Sequence, residues 1–244
     1  MIFEVCVDSV EGAVAAQTAG AQRVELCDNL VEGGTTPSLG MLSVTRKAMD
    51  ISIHALIRPR GGDFYYSPAE MEVMKQDIFA AKHAGANGVV LGALAVNGSV
   101  DVEKTRMLVQ AARPLSITFH RAFDLCRDPF EALEVICGLG IERILTSGQK
   151  ADALQGADTI ARLVKQAAGR VGIIAGGGIT PENVRAVRMQ TGVGEVHFSA
   201  RKSTTSPMEF QNRECFMGKA YQPDEYMRKV PDVQRIWDMI ENAG

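Results

Sequence analysis

Seven consecutive residues, Thr118-Phe119-His120-Arg121-Ala122-Phe123-Asp124, set an imidazole, a guanidinium and a carboxylate at the end of one apolar segment. Groups of these types can move protons and hold an anion. Two other stretches share a Glu-x-Cys pattern, Glu4-Val5-Cys6 and Glu25-Leu26-Cys27. Strand alternation places each carboxylate and its thiol on one face. Two carboxylates and two thiols brought together are unfavourable unless they are paired or bound to something. Arg58, within Leu56-Ile57-Arg58-Pro59-Arg60-Gly61-Gly62-Asp63, is the expected counter-charge, neutralising Glu25 or clamping an anionic ligand. A purely structural reading stands beside this one. In it His120 is a neutral core histidine, Arg121 and Asp124 pair on the surface, the glutamates pair with arginines, and the cysteines fill space.

A second kind of chemistry is suggested by Ile174-Ala175-Gly176-Gly177-Gly178-Ile179-Thr180, where three glycines lead from an apolar segment toward Thr180-Pro181. Amides unshielded by side chains at a helix N-terminus form an anion cradle. Ser199, after Val196-His197-Phe198, is expected at the same edge, and Thr146-Ser147-Gly148 adds hydroxyls nearby. The plainer account is that Gly176, Gly177 and Gly178 satisfy a tight turn.

These groups need a frame, and eight apolar segments of strand character supply one: Ile2 to Val7, Arg23 to Cys27, Ile51 to Ile57, Gly88 to Leu91, Leu115 to Phe119, Arg143 to Leu145, Val171 to Ala175 and Glu195 to Phe198. Helical patterns alternate with them. Thr36-Pro37, Ser67-Pro68, Asp128-Pro129 and Thr180-Pro181 each put a capping oxygen before a proline, the signature of a helix start. Ser67 with Glu70 and Asp128 with Glu131 have capping-box spacing. Met71, Met74 and Ile78, like Ile160, Leu163, Val164 and Ala167, mark core-facing helix stripes, and Phe130, Leu133 and Cys137 mark another. Regular alternation demands a parallel sheet with right-handed crossovers, and eight units predict an eight-stranded TIM-type (β/α)8 barrel. A doubly wound open sheet is the alternative, but Val7-Asp8-Ser9-Val10 lacks the glycines of a nucleotide-binding turn. The expected organisation is one domain over 1–244, with the barrel over 1–200 and an extended loop plus C-terminal helix over 201–244. No clear periodicity runs from Arg201 to Pro231. A connection of that length is commonly a lid or an interface arm.

Composition narrows the function classes. Apolar residues make up 46% and charged residues 23%, and the net charge of −3 comes with scattered lysines and arginines, so no basic field for nucleic acid is expected. The five cysteines, at 6, 27, 126, 137 and 215, contain no CxxC pair and leave one over from any disulfide scheme, which predicts a reducing, cytoplasmic setting. The start of the chain carries Glu4 and Asp8 and has no signal-peptide pattern, and the apolar stretch from Gly88 to Val96 is too short for a membrane span.

Six motifs in order carry a resemblance to a known family: Glu4-Val-Cys-Val-Asp-Ser9, Arg23-Val-Glu-Leu-Cys27, Glu32-Gly-Gly-Thr-Thr-Pro-Ser38, Ile57-Arg-Pro-Arg-Gly-Gly-Asp-Phe64, Thr118 to Asp124, and Leu145-Thr-Ser-Gly-Gln149. Together they resemble the CutC family of copper homeostasis proteins. The resemblance implies a TIM-type barrel, a cytoplasmic location, a homo-oligomer, and Cu(I) held by the cysteines matching Cys6 and Cys27. Cu(I) is soft, prefers sulfur and accepts two or three ligands. Neighbouring strands about 4.8 Å apart let same-face sulfurs share an ion.

The alternative function is an enzyme acting on a small anionic or phosphorylated metabolite. In that reading His120 is the acid or base, Glu4 or Glu25 its carboxylate counterpart, Arg58 the clamp and Asp124 part of the rim, with Gly176, Gly177, Gly178 and Ser199 on the anion side. A hard divalent ion on Glu4, Glu25 and His120 is a variant of it. No organic cofactor is expected, and Lys150 lies in a loop, which disfavours Schiff-base chemistry.

Overall fold

A computed structural model describes residues 1–215, 217 and 224–244. Eight parallel strands, β1 (Ile2–Val7), β2 (Arg23–Leu26), β3 (Ser52–Leu56), β4 (Gly88–Leu91), β5 (Ser116–Phe119), β6 (Arg143–Thr146), β7 (Gly172–Gly176) and β8 (Glu195–Phe198), pair in chain order, and β8 returns to β1 to close the barrel. Seven helices alternate with them: α1 (Val10–Thr18), α2 (Leu39–Ala48), α3 (Pro68–His83), α4 (Val102–Ala112), α5 (Pro129–Gly138), α6 (Ala157–Ala167) and α7 (Val184–Thr191). The expected TIM-type barrel is therefore the fold, because outward strand residues such as Val5, Val24, Ile53 and Ile117 bury against helix stripes such as Met71, Met74 and Ile78. Cys137 packs half-buried against this core.

Helix starts follow local chemistry, with two exceptions. Ser67 and Glu70 form a reciprocal capping box, and Asp128 accepts from the Phe130 and Glu131 amides. Glu131 itself turns to Arg127 rather than closing a box. Thr36 does not start α2; its hydroxyl accepts from the Arg58 amide at 3.0 Å, and Ser38 caps the helix instead. Thr180 does not cap α7 either. The Asn183 side chain accepts from the Thr180 amide, a turn intervenes, and the helix begins at Val184.

Register decides what the interior holds. Glu4 sits opposite Arg23 on β2 and opposite His197 on β8, and Cys6 sits opposite Glu25. Barrels of this type usually fill their interior with branched aliphatic side chains. Here the residues that open the strands are polar instead: Arg23 bonds Glu4 and Glu195, and Arg143 bonds Thr118 and Ser116. Glycines make room for the histidine rings, since a Cβ at Gly88 would stand 2.6 Å from His54 and one at Gly92 2.9 Å from His120.

Beyond the barrel, part of the segment expected to be irregular is an antiparallel ladder, β9 (Arg201–Thr205) with β10 (Met227–Pro231). Residues 206–215, 217 and 224–226 have no helix or strand, as expected, and residues 216 and 218–223 of that expectation lie outside the described residues. Helix α8 (Val233–Asn242) follows and buries Ile236 and Met239 against α1 and α7. Among the described residues no helix is long and apolar enough to cross a membrane.

Candidate metal and ligand site at the barrel mouth

The C-terminal ends of the strands surround a cavity of about 660 Å³. Cys6, Glu25 and His197 form its floor, and their ligand atoms all lie within 4.8 Å of one another. The Cys27 sulfur lies 3.5 Å from that of Cys6 and donates to the Val7 carbonyl at 3.3 Å. Strand alternation brings each glutamate and cysteine onto the inner face, as expected. Barrel closure then delivers His197 between the two glutamates.

His197 is the functional residue that strand-by-strand reading missed. Its Nδ1 lies 2.7 Å from Glu4, and its Nε2 lies 3.6 Å from Glu25. Burial alone would lower the imidazole's pKa, but Glu25, Cys6 and Glu4 overcome that and hold it well above the ordinary histidine value. Burial would likewise raise the Glu4 carboxyl, yet its hydrogen bond from His197 and the Arg23 charge hold it well below the usual range. Glu25 is displaced the other way, raised first by burial, with the His197 charge offsetting part of the effect. The Cys6 thiol is pushed up by its hydrogen bond with Cys27, by burial and by the charges around it. For Cys27 the bond to Cys6 lowers the pKa, and burial and Glu25 outweigh it.

Several expected residues occupy different positions. Glu4 does not reach the cavity; it is fully buried one layer below and fixes His197 from beneath. A carboxylate on one ring nitrogen of a histidine, leaving the other toward a ligand, is the arrangement that orients metal-binding imidazoles. Arg58 is not the counter-charge of Glu25. Its Nη1 donates to the Glu32 and Gly34 carbonyls and its Nη2 to Gly62, so it ties two loops together at the cavity wall, with its Nε left unpartnered. Asp124 lines the cavity but is saturated, accepting from Arg121, Thr146, both the amide and hydroxyl of Ser147, and the Gln149 amide. It has no lone pair left for a general base.

His120 lines the cavity far from Glu4 in the ladder, so a hard-ion set of Glu4, Glu25 and His120 is not brought together; the described residues assemble Cys6, Glu25 and His197 instead. The His120 Nδ1 accepts from the Ala122 amide at 3.2 Å, and burial followed by the Arg58 charge pushes its pKa down to about 3. Gly177, Gly178 and Ser199 line the cavity, whereas Gly176 is buried inside β7, where a Cβ would strike Leu145.

The model of the CutC family matches residues 1–202. A protein of Homo sapiens named copper homeostasis protein cutC homolog is 49% identical over 235 residues, covering 96% of this chain and 86% of that protein. This chain belongs to the CutC family. A CutC family protein of Bacteroides fragilis is 48% identical over 242 residues, covering 99% of this chain and 96% of that protein. The crystal structure of CutC from Streptococcus agalactiae superposes with a TM-score of 0.78 at 34% identity, covering 82% of this chain and 98% of that chain. The relatives thus share the whole CutC barrel. The motifs read above fall within the matched span, from Glu4 to Gln149.

Proposed function

We propose that this CutC chain is a cytoplasmic copper homeostasis protein that takes Cu(I) as cargo on Cys6 and Cys27, with His197 as the third donor and Glu25 beside them. The observation that carries this reading is the Cys6 sulfur beside His197 on the cavity floor, with the buried Cys27 sulfur 3.5 Å from it. Two soft donors and one imidazole suit a soft monovalent ion far better than a hard one. Protons on the thiols and on the His197 Nε2 must leave as the ion arrives, so the raised thiol pKa values oppose binding, whereas the burial of both cysteines favours retention or sensing over rapid handover. An anaerobic Cu(I) titration against a competing chromophoric chelator tests it. A low whole-number stoichiometry is expected, weakened by Cys6→Ser and by Cys27→Ser, and unaffected by Ser at Cys126, Cys137 or Cys215. Parent-like affinity in the Cys6→Ser/Cys27→Ser double variant would sink the reading. Self-association is supported by the exposed Met208 and Phe210 beyond β9; sedimentation velocity showing only monomer would count against it.

A second reading, an enzyme acting on a small anionic metabolite, is favoured by the cavity itself. Its volume of about 660 Å³ lies in the range of small-molecule pockets and far exceeds the needs of one ion. His120, Arg58, Asp124, Gly177, Gly178 and Ser199 stand on walls that copper does not use.

A further inference from the structure

We infer that the wall opposite Cys6 is a seat for a phosphomonoester, its phosphoryl group lying against the free edge of Arg121 and the Gly178 and Ile179 amides and a hydroxyl or carbonyl oxygen meeting His120. This inference rests on the small-anion reading above and gives it a substrate class and an anchor.

Arg121 carries the argument. A half-exposed arginine beside an aspartate usually wanders, and such pairs contribute little. Here the guanidinium is held on two edges, its Nε donating to Asp124 at 2.7 Å and its Nη2 to the Ser147 hydroxyl at 2.8 Å. Asp124 is itself pinned by the loop after β6, so the cation is fixed before any ligand arrives. Its remaining group, Nη1, has no hydrogen-bond partner among the described residues and faces Gly177, where a Cβ would lie 3.2 Å away. Neither copper binding nor barrel packing requires a fixed guanidinium with one free edge at the mouth.

Two independent features lie in the same cavity. Gly177 and Gly178 have φ of +99° and +66°, so this backbone bends with bare amides, and the Gly178 and Ile179 amides make no hydrogen bond within the described residues. Those donors with Arg121 and the Ser199 hydroxyl suit the several oxygens of a phosphoryl group better than the two of a carboxylate. His120 is the other feature. Because its Nδ1 accepts from Ala122, the proton sits on Nε2, which is buried and unpartnered. A buried donor without an acceptor is unfavourable, and a neutral one is suited to a hydroxyl or carbonyl oxygen rather than to the charged group.

Inorganic phosphate and glycerol 3-phosphate are the probes, followed by calorimetry and by backbone amide shifts. In the parent, phosphate is expected to move the amides of Gly177, Gly178, Ile179 and Ser199 on one saturable curve that chloride does not reproduce, with glycerol 3-phosphate binding more tightly. Arg121→Gln should weaken both by about tenfold or more. His120→Phe should remove only the advantage of glycerol 3-phosphate. An Arg121→Gln variant that binds phosphate like the parent overturns the inference while leaving a small-anion site standing; absence of any anion binding in the cavity overturns both. No gain of glycerol 3-phosphate over phosphate in the parent overturns the part assigned to His120. Should Arg121→Gln fail to fold, the amide map of the parent decides, and shifts confined to residues away from Gly177–Ile179 count against the seat.

Discussion

Replacing Glu4 with Gln tests whether the charged layer beneath the floor both holds the barrel and aims His197. Glu4 is fully buried and bonds Arg23 with one oxygen and His197 with the other. Removing one member of a buried ion pair costs about 3–5 kcal/mol, because its partner's charge is left uncompensated. Arg23 keeps Glu195, and His197 keeps Glu25 at 3.6 Å, which places the expected loss near the lower bound, about 3 kcal/mol. At roughly 2–4 °C per kcal/mol for a chain of this length, that is a fall in Tm of about 6–12 °C. Glu4 is not among the residues on the floor, so Cu(I) stoichiometry should stay as in the parent. Affinity should drop about tenfold to a hundredfold, the usual effect of losing a carboxylate behind a metal-binding histidine. Urea denaturation and the chelator competition measure the two effects separately. A stability loss below about 1 kcal/mol would show that the layer is not a coupled ion network, and unchanged Cu(I) affinity would show that His197 is not a donor.

Two further outcomes follow from the interior. Burial, followed by the charges of Arg23 and Arg143 against that of Glu4, pushes the His54 pKa down to about 3, so the unfolded chain takes up a proton near pH 6.5 that the native state refuses. Stability should therefore fall with pH from about 6.5 down to about 3, by about 1.4 kcal/mol per unit from this group, and His54→Gln should flatten that part of the curve in a series of urea titrations; an unchanged slope would remove His54 from the account. At Gly92 a Cβ would lie 2.9 Å from the His120 ring and 3.0 Å from the Phe119 ring, so Gly92→Ala should destabilise by about 1–3 kcal/mol, and a neutral result in thermal unfolding would mean that His120 is free to move.

The barrel was legible because its signals are local. Alternation within Ile2–Val7 or the Ser67-Pro68-x-Glu70 start can be read from a few neighbouring residues, and strands and helices appear where those patterns run. The two failed helix starts have a common cause, since Thr36 and Thr180 meet the pattern but spend their polar groups elsewhere, Thr36 on the end of β3 and Thr180 on Asn183. The same logic separates the site residues. Glu4, Cys6, Glu25 and Cys27 were found because each pair declares its face within three residues. Arg58 and Asp124 were found as charged groups at strand ends, but their types do not reveal that loop carbonyls and loop amides consume them.

His197 was overlooked by that method although Glu195, two residues before it, marks the same inner face, because its partner Glu4 is 193 residues away. The missing step was available in principle. Once eight strands are taken to close, β8 must lie against β1, and the alternation that turns Glu4 inward then requires one residue of β8 at the same level to face it. His197 is that residue. In a closed barrel the chemistry carried by the last strand is therefore to be read against the first, and the candidate site arises where that closure brings an imidazole to two carboxylates and a pair of thiols.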